Sequence, residues 1–191
     1  IRAYIMRSFA SQNAKTKTLF VDMLNYGAAA QLNLKGADTS DLANALLTDE
    51  QKAYGTQTMK AVNNNLVKGA NFLGTNFVLD SKISMQMAFN NLASEEIYAI
   101  VKLTDHFGKA IEVRIENADI EVRGSMRVVR IEQIVVADGR QMVTCELYNA
   151  NDELVGSASD SMEGYVARNI GTYPWLETIM NFSDSAYNYL H

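Results

Sequence analysis

Cysteine and histidine build most nucleophilic and metal sites, and the sequence is poor in both. The chain has one cysteine, Cys145, and two histidines, His106 and His191. Cys145 and His106 could in principle act as a thiolate and its base. Cys145 alternates with Val143 and Leu147 on an apolar strand face, and His106 lies in a predicted turn, so a buried, inert thiol is the favoured interpretation. One cysteine excludes an intramolecular disulfide, and this set does not make a usual zinc site.

Carboxylates are the second group that could do chemistry, because two of them flanking a glycosidic bond can cleave it. The candidates are Glu95, Glu96, Glu112, Glu116 and Glu121. Arg114 and Arg123 alternate onto the same predicted strand faces, which favours cross-strand ion pairs over catalysis. The sequence also lacks a phosphate-binding glycine loop, a Gly-x-Ser-x-Gly elbow and a His-Glu-x-x-His motif. We therefore expect a protein that is not an enzyme and that carries no cofactor.

Calcium is the metal that acidic loops most often bind. Asp38, Asp41 and Asp80 are candidate oxygen ligands, but no loop has the density of acids that a calcium site requires. The sequence therefore predicts no metal site.

Aromatic side chains are the remaining candidates, because exposed rings stack on sugars. Tyr98, Phe107, Tyr148 and Tyr173 lie near predicted turns or strand ends. These four residues either form a glycan-binding surface or cover the ends of the sandwich, and the covering role is the favoured interpretation. Trp175 lies on an apolar helix stripe, where a role in the core is favoured.

Composition excludes several classes of protein. The chain has 191 residues, 17 basic and 22 acidic side chains, and a net charge of −5. This mildly acidic balance argues against a nucleic-acid partner. No apolar run approaches the roughly 20 residues of a membrane span. The length suits one domain of ordinary size, or one domain with an appendage.

Hydrophobic periodicity divides the chain into helical ends and a β-rich centre. Apolar residues recur every three or four positions between Thr16 and Leu34 and again after Ser157, as in amphipathic helices. Between them, several segments alternate with period two, as in Ile83, Met85, Met87 and Phe89. The prediction is an α+β fold: an antiparallel β-sandwich of about seven strands, flanked by helical pairs at both ends.

Four segments follow from this division. Residues 1–34 form a helical pair, 35–65 a loop with short helices, 66–158 the sandwich, and 159–191 a C-terminal helical pair packed on the sandwich. The short helices are Asp41–Leu47 and one that begins at Asp49, where Thr48 and Gln51 have the spacing of a capping box. Hairpin turns are predicted at Asp105–Gly108 and Ala137–Arg140. Ser159 or Asp160 is the predicted cap of the first C-terminal helix, and the second carries one apolar stripe: Trp175, Ile179, Phe182, Ala186 and Tyr189. The first residues, Ile1–Arg7, resemble the middle of an amphipathic helix, which favours a piece of a longer protein.

The two helical ends resemble each other. Tyr4–Arg7 matches Tyr165–Arg168 at an offset of 161, and Met23–Ala30 matches Ile179–Ala186 at an offset of 156. Each end has a Tyr-x-x-Arg helix, a loop, and a helix with Asn followed by an aromatic residue. Two amphipathic helices can also look alike by composition alone. If the match is a true repeat, these offsets predict a tandem array with a period of roughly 155–160 residues, in which residues 1–34 are the tail of a preceding module.

Four segments of the chain carry a wider resemblance. Val21–Gln31 contains the motif Asn-Tyr-Gly-Ala-Ala-Ala-Gln, and Asp41–Ala53, Ser81–Met85 and Ser157–Arg168 follow it along the chain. Together they resemble a poorly characterised repeat module of large secreted or cell-surface multidomain proteins of Gram-positive, clostridial gut bacteria. The resemblance implies an extracellular or cell wall-attached location and neighbouring modules in the same polypeptide. It implies no particular activity and no site residues.

Three functional hypotheses remain. The leading one is a non-catalytic module that binds a glycan or adheres to a host or plant surface polymer. The alternatives are a purely structural spacer within a tandem array, and an accessory domain of a secreted glycan- or protein-degrading enzyme.

Overall fold

The computed structural model describes residues 1–34, 41–79, 83–92 and 95–191. Its fold is α+β, with helices and two antiparallel sheets. The chain forms two compact units: residues 1–61 with 169–191, and residues 62–168. In the described part of the chain, no helix is long and apolar enough to cross a membrane.

The helices begin and end close to the periodic segments of the sequence. They are α1 (Arg2–Ser8), α2 (Ala14–Leu34), α3 (Asp49–Lys52), α4 (Met162–Asn169) and α5 (Leu176–Leu190). The capping box predicted at the start of α3 is confirmed, because the Thr48 side chain accepts from the Gln51 backbone N–H and the Gln51 side chain accepts from that of Thr48. Residues 41–47, expected to be a short helix, form turns instead.

The first unit is built around α2. Its buried apolar cluster joins α1 and α2 to the segment before α3 through Ile5, Phe9, Val21, Leu24 and Leu47. Helix α5 packs along α2 in the same unit. At this contact the rings of Tyr26 and Phe182, which the sequence repeat aligns, stack with centroids 5.8 Å apart.

This grouping differs from the expected division of the chain. We expected residues 159–191 to form one pair on the sandwich, but α4 up to Arg168 belongs to the second unit and α5 to the first. The apolar stripe of α5 also differs in part: Ile179 and Ala186 are buried, Trp175 and Phe182 are half-buried, and Tyr189 is exposed.

The second unit contains all nine strands found in the described residues. A five-stranded sheet has the order β1 (Val67–Lys68), β9 (Leu154–Asp160), β8 (Val143–Asn149), β4 (Ile97–Thr104), β5 (Ala110–Ile115). A four-stranded sheet has the order β2 (Phe72–Leu79), β3 (Ile83–Phe89), β7 (Met126–Ile131), β6 (Glu121–Arg123). The count exceeds the predicted seven because β1 and β6 have only two and three residues.

Alternation along the strands assigns one face of each sheet to the interior. Met85, Met87 and Phe89 are completely buried, as predicted, while Ile83 at the strand end is half-buried. A Cβ atom placed on Gly156 of β9 would lie 3.1 Å from the Phe89 ring of β3, so glycine allows this close approach of the two sheets. The buried face of the five-stranded sheet includes Val101, Cys145 and Leu147.

Two connections differ from the sequence prediction. Asp105–Gly108 does join the hairpin of β4 and β5, but residues 137–140, predicted as a hairpin turn, link β7 of one sheet to β8 of the other. The link contains a short 3-10 helix, Val136–Asp138. The N-cap of α4 is Ser161 rather than Ser159 or Asp160, because the Ser161 hydroxyl accepts from the Gly164 backbone N–H at 3.0 Å.

A buried ion pair fixes α4 to the strand that precedes it. Asp160 is inaccessible to solvent, and both of its carboxylate oxygens accept from the Arg168 guanidinium. The same guanidinium donates to the Asn64 side chain at 2.8 Å. A Cβ atom on Gly164 would lie 2.2 Å from the Asn65 side-chain oxygen and 2.6 Å from Asp160 Oδ1, so a larger residue there would displace these two side chains.

Candidate functional site

Tyr98 and Tyr148 lie side by side on the outer face of the five-stranded sheet. They are cross-strand partners on β4 and β8, and their rings stack with centroids 5.4 Å apart and an angle of 16°. The guanidinium carbon of Arg114, on β5, lies 3.4 Å from the centroid of the Tyr98 ring. Tyr98 is therefore held between a cation and a second aromatic ring, a contact that stabilises exposed aromatic groups.

Hydrogen bonds fix both tyrosine hydroxyls. Tyr98 Oη donates to Asp152 Oδ1 at 2.8 Å, and Tyr148 Oη donates to Glu146 Oε2 at 3.0 Å. Asp152 lies in the β8–β9 turn with a left-handed φ of 61°, which aspartate tolerates better than most residues. Because each hydroxyl donates to a carboxylate, the pKa of each tyrosine is raised. Both tyrosines therefore stay neutral at physiological pH.

Ion pairs surround the two rings. Lys102 Nζ donates to Glu146 Oε2 at 2.8 Å, and Arg114 Nε donates to Glu116 Oε1 at 2.7 Å. The hydrogen bond from Lys102 lowers the pKa of Glu146, and the same bond raises the pKa of Lys102. Arg114 pairs with the glutamate two residues further along the chain, and Arg123 pairs with Glu121 on its own strand. The ion pairs of Arg114 and Arg123, which we expected to run across strands, therefore join residues two positions apart in the sequence.

The structure does not bring the other two predicted aromatic residues to this place. Phe107 lies in the β4–β5 turn, at the end of β4 opposite Tyr98, with 66 % of its surface exposed. Its ring contacts His106, with centroids 4.2 Å apart. Tyr173 is half exposed and belongs to the first unit, whereas Tyr98 and Tyr148 belong to the second.

Sequence reasoning missed Arg114, Asp152, Lys102 and Glu146 as neighbours of the tyrosines. A signal for Arg114 was present, because the Asp105–Gly108 turn sets the register of the hairpin. That register places Arg114 opposite Ile100 and diagonal to Tyr98. No comparable signal places Tyr148, which is fifty residues from Tyr98 in the sequence.

His106 has a carboxylate partner that the sequence did not predict. Its Nδ1 lies 2.6 Å from Asp138 Oδ1, and the same oxygen accepts from the His106 backbone N–H at 2.8 Å. Asp138 Oδ2 accepts from the Val135 backbone N–H at 3.1 Å. These bonds tie the β4–β5 turn to the connection between the sheets, which is a structural role.

Metal and calcium candidates find little support among the described residues, which contain no cluster of three or more His, Cys, Asp or Glu that could hold an ion. Asp41 pairs with Arg2 at 2.6 Å. Asp38 and Asp80 lie outside the described residues.

Cys145 is buried on the inner face of β8, as predicted. None of its surface is exposed, and burial raises the pKa of its thiol to about 12. We expect less than a few per cent of the thiol to react with a thiol-specific reagent in the native protein at about pH 8, and complete reaction in denaturant. Rapid labelling of the native protein at a rate near that of a free cysteine would contradict the burial of Cys145.

Comparison with known proteins gives no further guide to function. No protein-family model matches the chain, and no curated protein is significantly similar to it.

Proposed function

We propose that the chain is a non-catalytic, glycan-binding or adhesive module of an extracellular or cell wall-attached multidomain protein. In this proposal the two sheets pack as a β-sandwich, and the outer face of the five-stranded sheet binds the ligand. The extracellular location rests on the resemblance to clostridial surface modules. Contact across the inner faces at Phe89 and Gly156 supports the sandwich.

One observation carries the binding proposal: two stacked tyrosines held in fixed positions on a sheet face that is not fully buried. Rings whose orientation is already set lose little conformational entropy when a ligand binds. Around them, Lys102, Glu146 and Asp152 supply donors and acceptors for sugar hydroxyls. A combination of apolar rings and oriented polar groups is what sugar rings require, because a sugar has apolar C–H faces and a polar rim.

Replacing Tyr148 tests this proposal. We expect Tyr148→Ala to weaken binding to glycans identified on an array at least about fivefold, because it removes the ring and its bond to Glu146. Tyr173→Ala in the other unit should leave binding unchanged. Calorimetry with the array-selected glycan measures both, and circular dichroism checks the fold. An array with no bound glycan, or equal losses in the two variants, would reject the glycan-binding role.

A structural spacer is the second candidate, and one contact favours it. Tyr26 and Phe182 occupy matching positions of the sequence repeat, and they stack on each other where α2 meets α5. The first unit thus combines segments from both ends of the chain. In a tandem array, helical pairs of this kind would join successive modules. The same glycan array separates the two candidates, because a pure spacer binds none of its glycans.

A further inference from the structure

We infer that the outer face of the five-stranded sheet binds a neutral, linear oligosaccharide chain along β4 and β8, rather than a single terminal sugar or a polyanion. The inference rests on the proposed glycan-binding function and names the class of ligand. Four features support it: the order of the side chains on the face, the length of the face, the hydroxyl groups of its distal row, and the pairing of its charges.

The strand register arranges the outward side chains in three rows across the sheet. Tyr98, Tyr148 and Leu154 form the aromatic row. The middle row contains Arg114, Ile100, Glu146 and Ser157, and the distal row contains Glu112, Lys102, Thr144 and Ser159. The two aromatic rings therefore lie at one end of the face, and the outward side chains of the distal row carry hydroxyl and charged groups.

The face is long enough for several sugar units. From Tyr98 to Thr104, β4 covers about six residue steps, or roughly 20 Å. Beyond the aromatic row, the face ends in an open depression of about 390 Å³, whose lining includes Lys102, Thr104, Glu112 and Thr144. A single sugar would reach only one of the three rows. An oligosaccharide that lies along the strands would reach both the aromatic row and the depression.

The polar groups of the distal row suit hydroxyls. Thr144 Oγ1 and Ser159 Oγ lie 2.7 Å apart and share one hydrogen bond, so their remaining lone pairs and the second proton point elsewhere. Both side chains are half-buried, which leaves them in contact with solvent. Such hydroxyl pairs exchange hydrogen bonds with water and with sugar hydroxyls equally well.

Charge pairing disfavours a polyanion. The three rows contain two basic side chains, Lys102 and Arg114, and each already donates to a glutamate. The pKa of each is raised by that hydrogen bond, so both remain protonated, and the charge of each is neutralised by its glutamate. Sulfated or phosphorylated chains need cations without an internal partner, as well as an excess of positive charge. A neutral oligosaccharide requires neither unpaired cations nor an excess of positive charge.

The length of the oligosaccharide provides the test. We would titrate the 191-residue protein chain with neutral xylo-, gluco- and manno-oligosaccharides from disaccharide to hexasaccharide, and with heparin and polygalacturonate as polyanions. For at least one neutral series we expect affinity to rise at least about tenfold from disaccharide to tetrasaccharide and then to level off. The polyanions should not bind at physiological ionic strength.

Two variants test whether the oligosaccharide lies along the outer face of the five-stranded sheet. Tyr148→Ala should weaken binding of every length, whereas Thr144→Lys should weaken only the tetrasaccharide and longer chains, because it blocks the distal row. Asn76→Lys, on an exposed position of the other sheet, is the matched control and should change nothing.

Outcomes separate this inference from the proposed function. Binding that is equally strong for disaccharide and hexasaccharide, or stronger for a polyanion, would overturn the inference while leaving a glycan-binding module. Long-chain binding unaffected by Thr144→Lys would overturn it as well. Absence of binding to every oligosaccharide and polymer would reject both the inference and the proposed function.

Discussion

Met87→Asp is expected to lower the free energy of unfolding by about 3–5 kcal/mol, a large share of the roughly 5–15 kcal/mol that is typical of a folded protein. Met87 is completely buried, and its cross-strand neighbours on β2 and β7 are Thr75 and Val129. A carboxylate at this position would lose its hydration, and neither of these directly opposite side chains is a cation. The buried guanidinium of Arg127, diagonal to Met87 on β7, already donates to the backbone oxygens of Leu92 and Glu95. Urea unfolding followed by circular dichroism measures the change.

Gln86→Asp is the matched control for this substitution. Gln86 is the preceding residue of β3, is half-buried, and faces away from Met87. Its cross-strand neighbour on β7 is the exposed Arg130, so a new carboxylate there meets water and a cation. We expect a change of less than about 1 kcal/mol. Equal losses from the two substitutions would show that β3 does not divide its side chains between an inner and an outer face.

The inner strand faces could be predicted because they depend on local pattern alone. Met85, Met87 and Phe89 alternate with smaller or polar residues, and only one orientation of such a strand buries the larger side chains. The capping box at Thr48 could be predicted equally well, since its partner Gln51 follows three residues later in the sequence. In each case the decisive contacts are close in sequence.

The candidate site could be predicted only in part, because its pieces come from distant segments. Tyr98 and Tyr148 were both chosen as aromatic residues near turns, but their stacking depends on the pairing of β4 with β8. Periodicity gives no order of strands within a sheet. Phe107 and Tyr173 have the same sequence features and lie elsewhere, so exposure near a turn is not enough to identify a site.

The position of α5 was missed for a related reason. Its apolar stripe shows that it packs on something, but an amphipathic pattern does not name the partner. The buried positions of α5 include Asn181, Ser183, Asp184 and Ser185 beside the apolar ones, so the buried surface is wider than the stripe. The stacking of Phe182 on Tyr26 was visible in the sequence only as a repeat.

Arg168→Ala is expected to destabilise the β-rich unit by about 3–5 kcal/mol, because it leaves the fully buried Asp160 carboxylate without its cation. Arg130→Ala removes a similar pair, at 3.1 Å from Glu132, from the surface, where both side chains are about half exposed. That control should cost less than about 1 kcal/mol. Urea midpoints for the two variants give the comparison.

Removing the unpaired carboxylate should recover part of the loss. In the double variant Asp160→Asn with Arg168→Ala, the buried charge is absent. The introduced amide oxygen can still accept from the Ser161 backbone N–H, as the Asp160 carboxylate does at 2.9 Å. We therefore expect the double variant to be more stable than Arg168→Ala alone, with a coupling energy of roughly 1–3 kcal/mol. Additive losses would show that Arg168 stabilises α4 through packing and its bond to Asn64, and that the ion pair itself does not hold the helix to β9.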